Sequence, residues 1–272
     1  MRTVTSPDGT TIAFDRIGSG DAGTVVLISG AFGYREVPAT VELADALAAD
    51  YGLTVINYDR RGRGDSSDSP GVYDASNEIA DLKAVVDQAG GAVALFGWGS
   101  GAVLALAAAR SGAIAGISDV VAFEPPLVIS PKDHVPPKDA ADKLAARLAA
   151  GRRGGAVWYY LTKVMGVPAL VASAMRVSPV WKQLVATADS TAHDYAVLEP
   201  FARGKDPRTE DWAALTAPTL LLVGERSAPA LTKGARRLAE VLPDARLQEL
   251  AGVSNDPVAS ALAPAIGEFL TR

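Results

Sequence analysis

The reading turns on Phe96-Gly97-Trp98-Gly99-Ser100-Gly101-Ala102. An apolar run, Ala92 to Phe96, ends at this stretch and a run of small helix formers, Val103 to Arg110, leaves it, so the segment reads as strand, sharp turn and helix. Strand-length apolar runs recur on both sides of it, at Thr24 to Ile28, Leu53 to Tyr58, Ile117 to Phe123, Thr219 to Val223 and Arg246 to Leu250. Between them lie segments with helical spacing: Pro38 to Asp50, a helix capped by Asp74 and ending at Gly90-Gly91, and Pro229 to Leu242. A final helix is expected from Asp256-Pro257. Arg2 to Thr5 and Thr10 to Arg16 flank the turn tetrad Ser6-Pro7-Asp8-Gly9 and predict an opening hairpin. Strands alternating with helices imply a doubly wound, mostly parallel α/β sheet, because continuous apolar strands are buried on both faces.

From Leu127 to Asp211 the strand rhythm stops and helical stretches replace it, Asp139 to Ala150 and Val157 to Val164 among them. The chain thus divides into a core, 1–126 with 212–272, and a helical insertion, 127–211.

The 272 residues are 49% hydrophobic and carry a net charge of −5, enough for a sizeable core and, on net charge, unattractive to nucleic acid or an anionic membrane. Apolar runs such as Ala102 to Ala109 fall far short of the ~20 residues that span a bilayer. Met1-Arg2-Thr3 runs directly into a polar turn without a secretory pattern, so a cytoplasmic location is the expectation. There is no cysteine, and with only His134 and His193 a zinc site is not expected. The arginines of Asp59-Arg60-Arg61-Gly62-Arg63-Gly64-Asp65-Ser66 lack the companion phosphate loop with its lysine, and are read as solvated or backbone-pairing.

The central stretch resembles the nucleophile elbow, G-x-S-x-G, of the α/β-hydrolase fold, with Gly97 and Gly101 as the flanking glycines. The Asp59 loop is similar to that family's D-x-R-G-x-G-x-S. In this register Gly99 stands at the nucleophile position and Ser100 comes next, lending its amide to the oxyanion hole. The shifted register makes Ser100 the nucleophile and sets Trp98 and Ala102 at the flanks. Ser29-Gly30-Ala31-Phe32-Gly33 stands where the family carries His-Gly, so the resemblance assigns the second oxyanion donor to Ala31 or Phe32. Ser227, in Gly224-Glu225-Arg226-Ser227, falls near the usual acid. Asn255, in Gly252-Val253-Ser254-Asn255, falls on the usual histidine. Glu124 closes the strand beside the elbow strand, where open α/β sheets bind ligands. Each has a plain structural reading too: Ser227 as the cap of the helix near Pro229, Asn255 as a turn former before Asp256, Glu124 as a carboxylate held by neighbouring amides.

The resemblance implies that 127–211 is a cap over the cleft, its aromatics, including Trp158 and Tyr160, covering substrate or gluing cap to core. Losing the serine or the histidine of such a triad costs on the order of a million-fold in kcat. The expectation is therefore a non-hydrolytic, cofactor-free enzyme, a cyclase or carbon–carbon bond-forming catalyst on a bulky, apolar, polycyclic carbonyl substrate of polyketide-like (antibiotic) biosynthesis. Its catalytic residues would be Glu124, Asn255 and Ser100, with Ser29, Ala31, Phe32, Trp98, Gly99, Ser227, Trp158 and Tyr160 binding. No metal is expected. A residual ester or thioester hydrolase using Ser100, and an inactive small-molecule binding protein, are the alternatives.

Overall fold

The computed structural model describes residues 1–272 except Pro70, Val72 and Asp256. The strands are β1 (Arg2–Thr5), β2 (Thr11–Ile17), β3 (Thr24–Ile28), β4 (Thr54–Tyr58), β5 (Val93–Trp98), β6 (Ile117–Phe123), β7 (Thr219–Gly224) and β8 (Ala245–Leu250). They form one sheet in the order β1-β2-β4-β3-β5-β6-β7-β8. Pairing is antiparallel at β1–β2 and β2–β4 and parallel in every other pair. The sequence expectation of a mostly parallel sheet with an opening hairpin is met.

Helices follow the strands: α1 (Pro38–Tyr51), α2 (Ala75–Val86), α3 (Ser100–Ser111), then α4 (Ala140–Ala149), α5 (Arg153–Tyr159), α6 (Ala169–Met175), α7 (Pro179–Ala186), α8 (Ser190–Leu198) and α9 (Thr209–Trp212), and finally α10 (Pro229–Val241) and α11 (Ala259–Leu270). The pleat sends successive strand residues to opposite faces. Val25, Leu27, Phe96, Val121 and Phe123 pack with Leu43 and Leu47 of α1 and Leu262 and Ile266 of α11. Val26, Ile28, Leu95, Val120 and Ala122 pack with Leu82 of α2, Leu104 of α3 and Leu238 of α10. The central strands are therefore mostly apolar on both faces, with few polar interruptions such as the buried Asn57 of β4, and that is the signal that made them legible.

Three local expectations change. Asp74 caps α2, accepting from the Ser76 amide at 2.7 Å, but the last helix begins at Ala259 behind Val258, and Asp256 lies outside the described residues. The helix expected over 157–164 is interrupted: α5 stops at Tyr159 and a π-helical turn, Tyr160–Val164, closes with the Met165 amide bonding to the Tyr160 carbonyl at 2.9 Å. The arginines of the Asp59 loop are not solvated. Arg60, Arg61 and Arg63 are buried, because each meets carboxylates that the chain brings in from elsewhere.

The helices between β6 and β7 have an apolar cluster of their own, with Leu144, Tyr159, Tyr160, Val164 and Tyr195 at its centre and Ala31 and Phe32 of the core loop packed against it. That contact seats the cap over the loop after β3.

Candidate active site

β5 and α3 meet at Gly99, whose φ of 56° and ψ of −123° lie where a side chain is strained. The Gly99 amide bonds to the Phe123 carbonyl at 3.0 Å, tying the turn to β6, and its own carbonyl accepts the first helical bonds from Ala102 and Val103. The flanking glycines are needed for a different reason. A Cβ at 97 would sit 2.3 Å from the Gly101 carbonyl oxygen, and one at 101 would sit 2.1 Å from that of Ile28. At 99 the nearest atom, the Gly30 Cα, would be 4.0 Å away. Position 99 thus has room for a side chain that it does not carry. Gly99 is the apex of the turn, and Ser100 is the first residue of α3.

A cavity of about 150 Å³ opens at this apex, bounded by Trp98, Gly99, Ser100 and Glu124 from the sheet side, by Gly30 and Ala31 from the loop after β3, and by Tyr160 and Met165 from the cap. Asn255 closes one wall and also lines a second, mainly apolar chamber of about 240 Å³ that shares Pro126, Met165, Leu198 and Leu231 with the first. A larger groove of about 540 Å³ runs beside α10, but it is open, lined by Lys233, Arg236, Arg237 and Glu240, and holds none of the elbow residues. The paired chambers are the better candidate for chemistry.

Of the residues singled out from sequence, Ala31, Trp98, Gly99, Ser100, Glu124, Tyr160 and Asn255 come together around the first chamber. The others stand back from it. Ser29 donates to the Gly33 carbonyl at 3.1 Å and shapes its loop. Phe32, at a φ of 62°, meets Tyr160 in a T-shaped ring contact with centroids 5.5 Å apart, and lines a separate pocket with Tyr34 and Leu184. Trp158 sits half-buried on α5, where its carbonyl accepts from Thr162. Ser227 does not cap α10, whose N-cap is Ala228; its hydroxyl donates instead to Glu124 Oε1.

Glu124 is buried at a φ of 51°, its amide bonded to the Leu222 carbonyl at 2.9 Å and its Oε1 accepting the Gly224 amide at 2.9 Å. Strand β7 therefore holds both ends of this residue. Tyr160 is also buried, and burial pushes its phenol well above the usual range, with Asp194 adding to the effect, so it remains a neutral donor. Its hydroxyl has no hydrogen-bond partner among the described residues. Neither imidazole reaches the elbow. His134 lines the second chamber with Nε2 3.0 Å from the Lys163 carbonyl, and His193 stacks on Tyr73 at 3.9 Å, where burial lowers its pKa.

The sequence matches the alpha/beta hydrolase family over residues 25–264. The chain belongs to that family. It is 41% identical to an alpha/beta hydrolase from Sphaerobacter thermophilus DSM 20745, with 98% of this chain and 99% of that one aligned and a TM-score of 0.87. An esterase, EaEST, from Exiguobacterium antarcticum is 18% identical over 99% of each chain with a TM-score of 0.70. The bottromycin epimerase BotH, solved with bottromycin A2, is 23% identical over 99% of this chain and 97% of its own, with a TM-score of 0.66. The last two share the fold alone. Among curated proteins none matches the chain.

In this α/β-hydrolase chain the elbow is fixed from behind by a buried ion network that sequence reading missed. Asp194, on α8 of the cap, uses Oδ1 to accept from Arg60 at 2.9 Å, Arg63 at 2.7 Å and the Ser100 hydroxyl at 2.6 Å. Arg60 reaches on to the Ser29 carbonyl at 3.1 Å, and Arg63 to that of Gly30 at 2.6 Å. Arg60 also grips Glu78 with two bonds of 2.5 and 2.7 Å, while Arg61 points the other way and pairs bidentately with Asp81. The one legible signal was the density of arginine beside Asp59; nothing in the sequence around Asp194 marked it as their partner.

This geometry generates two expected outcomes. Gly101→Ala should lose more than the ~1–3 kcal/mol typical of overpacking, because a backbone carbonyl has to yield, whereas Gly99→Ser should lose only the ~1–3 kcal/mol of left-handed strain. Urea unfolding of both variants checks this, and a Gly101→Ala protein as stable as the parent would remove the elbow assignment. The second concerns acid. Burial would raise the Glu78 carboxyl, but Arg60, with Arg63 and Tyr73, outweighs it and brings it from 4.5 to about 2. The stabilisation is full above pH 4.5 and is lost as pH falls toward 2, where the acid becomes neutral in the folded state too. Glu78→Gln should cost about 3–5 kcal/mol near neutrality. Thermal melts across pH should show that deficit shrinking through this acid window; a constant deficit would contradict the ionised pair.

Proposed function

We propose that the chain is a cofactor-free, non-hydrolytic catalyst of the alpha/beta hydrolase family, a cyclase or carbon–carbon bond-forming enzyme of conjugate-addition or aldol type, acting on a bulky, apolar carbonyl substrate of polyketide-like natural-product chemistry. The observation that carries the reading is position 99: the backbone of a nucleophile elbow with space for a side chain and none present. Asn255, which the sequence resemblance sets at the family's base position, lines the chamber wall, and on this reading neither position 99 nor position 255 offers a hydroxyl or an imidazole for acyl transfer. What the chamber retains is electrostatic. The Ser100 amide belongs to the first turn of α3 and has no carbonyl partner within the helix, and Ala31 of the loop after β3 lines the same cavity and offers a second backbone amide. A carbonyl oxygen placed between them would be polarised, and an enolate formed beside it stabilised.

In this mechanism Glu124 accepts a proton from the carbon next to the carbonyl, and the electron pair of the broken C–H bond moves onto the oxygen held by the amides. The enolate carbon then attacks an electrophilic carbon of the same substrate, and the proton returns from Glu124 to the product. Ser227 and the Gly224 amide hold Glu124 in place, while the Tyr160 hydroxyl supplies a neutral donor to a second oxygen. The adjoining second chamber, which shares five lining residues with the first, is where the apolar body is proposed to sit. That BotH is an epimerase supports non-hydrolytic chemistry on this fold, as a property of that protein. Hydrolysis through Ser100 fits less well, since its hydroxyl is committed to Asp194 and Arg60.

The test is carbon-acid exchange. In D2O the protein should catalyse deuterium uptake at the α-carbon of a bicyclic ketone such as 2-tetralone, monitored by NMR. Glu124→Gln should slow it by about 100-fold or more, as expected for loss of a general base, and Tyr160→Phe by a smaller factor. No burst of p-nitrophenol should appear with p-nitrophenyl acetate, nor after Gly99→Ser alone. A burst abolished by Ser100→Ala would establish the hydrolase instead, and ketone binding without exchange would establish a binding protein.

A further inference from the structure

The net charge of −5 conceals an uneven distribution. Between Asp142 and Asp189 every charged side chain is basic, so the rest of the chain is more acidic than the total suggests. Lys143 and Arg153, both in the first part of this stretch, pair with Asp139 and Asp189. In its middle Lys163, Arg176 and Lys182 are exposed and, among the described residues, meet no carboxylate. The same middle segment carries the cap's most exposed large apolar side chains: Val177 is 92% exposed, Leu170 83%, Val171 50% and Val180 48%. Left in water these side chains contribute nothing to stability, so a surface of this composition is stabilised by a partner that is apolar below and anionic above.

We infer that the α6–α7 face of the cap, from Met165 to Lys182, docks on the surface of an anionic lipid bilayer. Charge complementarity selects this partner: the basic face is drawn to anionic headgroups while the acidic remainder is repelled, which orients the molecule cap-down, and Leu170 and Val177 enter the headgroup boundary. No helix among the described residues is long and apolar enough to cross a membrane, so the attachment is peripheral. Met165 links this face to the interior, since it is 41% exposed and also lines both chambers. An apolar ligand dissolved in the bilayer would thus reach the cavity along the cap without crossing water. The inference stands apart from the chemistry proposed above, because it uses none of the elbow residues.

Co-sedimentation with phosphatidylcholine vesicles, with or without phosphatidylglycerol, tests it using the intact chain. Binding should be about tenfold stronger to the anionic vesicles and should weaken in ~0.5 M NaCl. Leu170→Glu with Val177→Glu, and separately Arg176→Gln with Lys182→Gln, should each reduce binding by about tenfold or more. These positions are exposed, so melting temperatures should stay near the parent's, while Gly99→Leu should leave vesicle binding intact. Failure to bind anionic vesicles, equal binding to neutral ones, or unchanged binding by either double variant overturns the proposal. So does a dimer in light scattering that Val177→Glu converts to monomer, because the face would then be covered by a second copy.

Discussion

One carboxylate oxygen joins the two halves of this molecule. Asp194 Oδ1, carried on a cap helix, meets Arg60 and Arg63 from the loop after β4 and Ser100 from the elbow helix, all buried. Charges removed from water at such cost persist only when each finds partners, and here the groups that meet, Asp194 included, belong to three separate elements. Through the same two arginines the loop Ser29 to Gly33 is held by its carbonyls. The loop and the elbow helix that bound the first chamber are therefore held by ion pairs, and the cap is fastened at the same point.

This arrangement also explains the pattern of the Asp59 loop. Asp59 accepts the Arg35 and Asp65 amides at 2.7 and 2.9 Å, and a Cβ at 64 would come within 2.2 Å of its carboxylate, so the glycine is required by the turn that Asp59 closes. Closing that turn sends Arg60 toward the cap and Arg61 toward α2 and the opening hairpin. Buried positive charge in a chain of negative net charge is matched within a shared network of carboxylates, and a whole-chain sum carries no trace of it.

The fold was legible because its cause is local and repeated: Val25 to Ile28 and Val93 to Phe96 are apolar on both faces only if helices cover both. The elbow was legible for a similar reason, since glycines at 97 and 101 answer to contacts within a few residues or with the neighbouring strand. Legibility ended where contacts span the chain. Ser227 reads as a helix cap until Glu124 arrives from β6, and Asp194 reads as one more helical acid until the cap folds back on Arg60. Asn255 and Tyr160 do line the first cavity, but the second chamber is built from Leu198, Leu231 and Met165, ordinary apolar residues that carry no signal in sequence. The loss of strand rhythm is the sequence signal for the helices between β6 and β7, while the surface character of that segment lies in the absence of acids rather than in any motif.

The π-helical turn at Tyr160–Val164 adds a constraint on how this protein can diverge. A bond spanning five residues widens one turn of an otherwise α-helical path, as though a single residue had been inserted into α5 and retained. Deleting one residue there would restore an ordinary helix and rotate the turns on its N-terminal side by about 100° relative to those on its C-terminal side, carrying Tyr160 away from either Phe32 or the cavity. Substitutions along this segment are individually small events, whereas a change in its length resets the cap's lining all at once. Relatives of equal length here should thus share a chamber shape, and those differing by one residue should enclose a different space under the same fold.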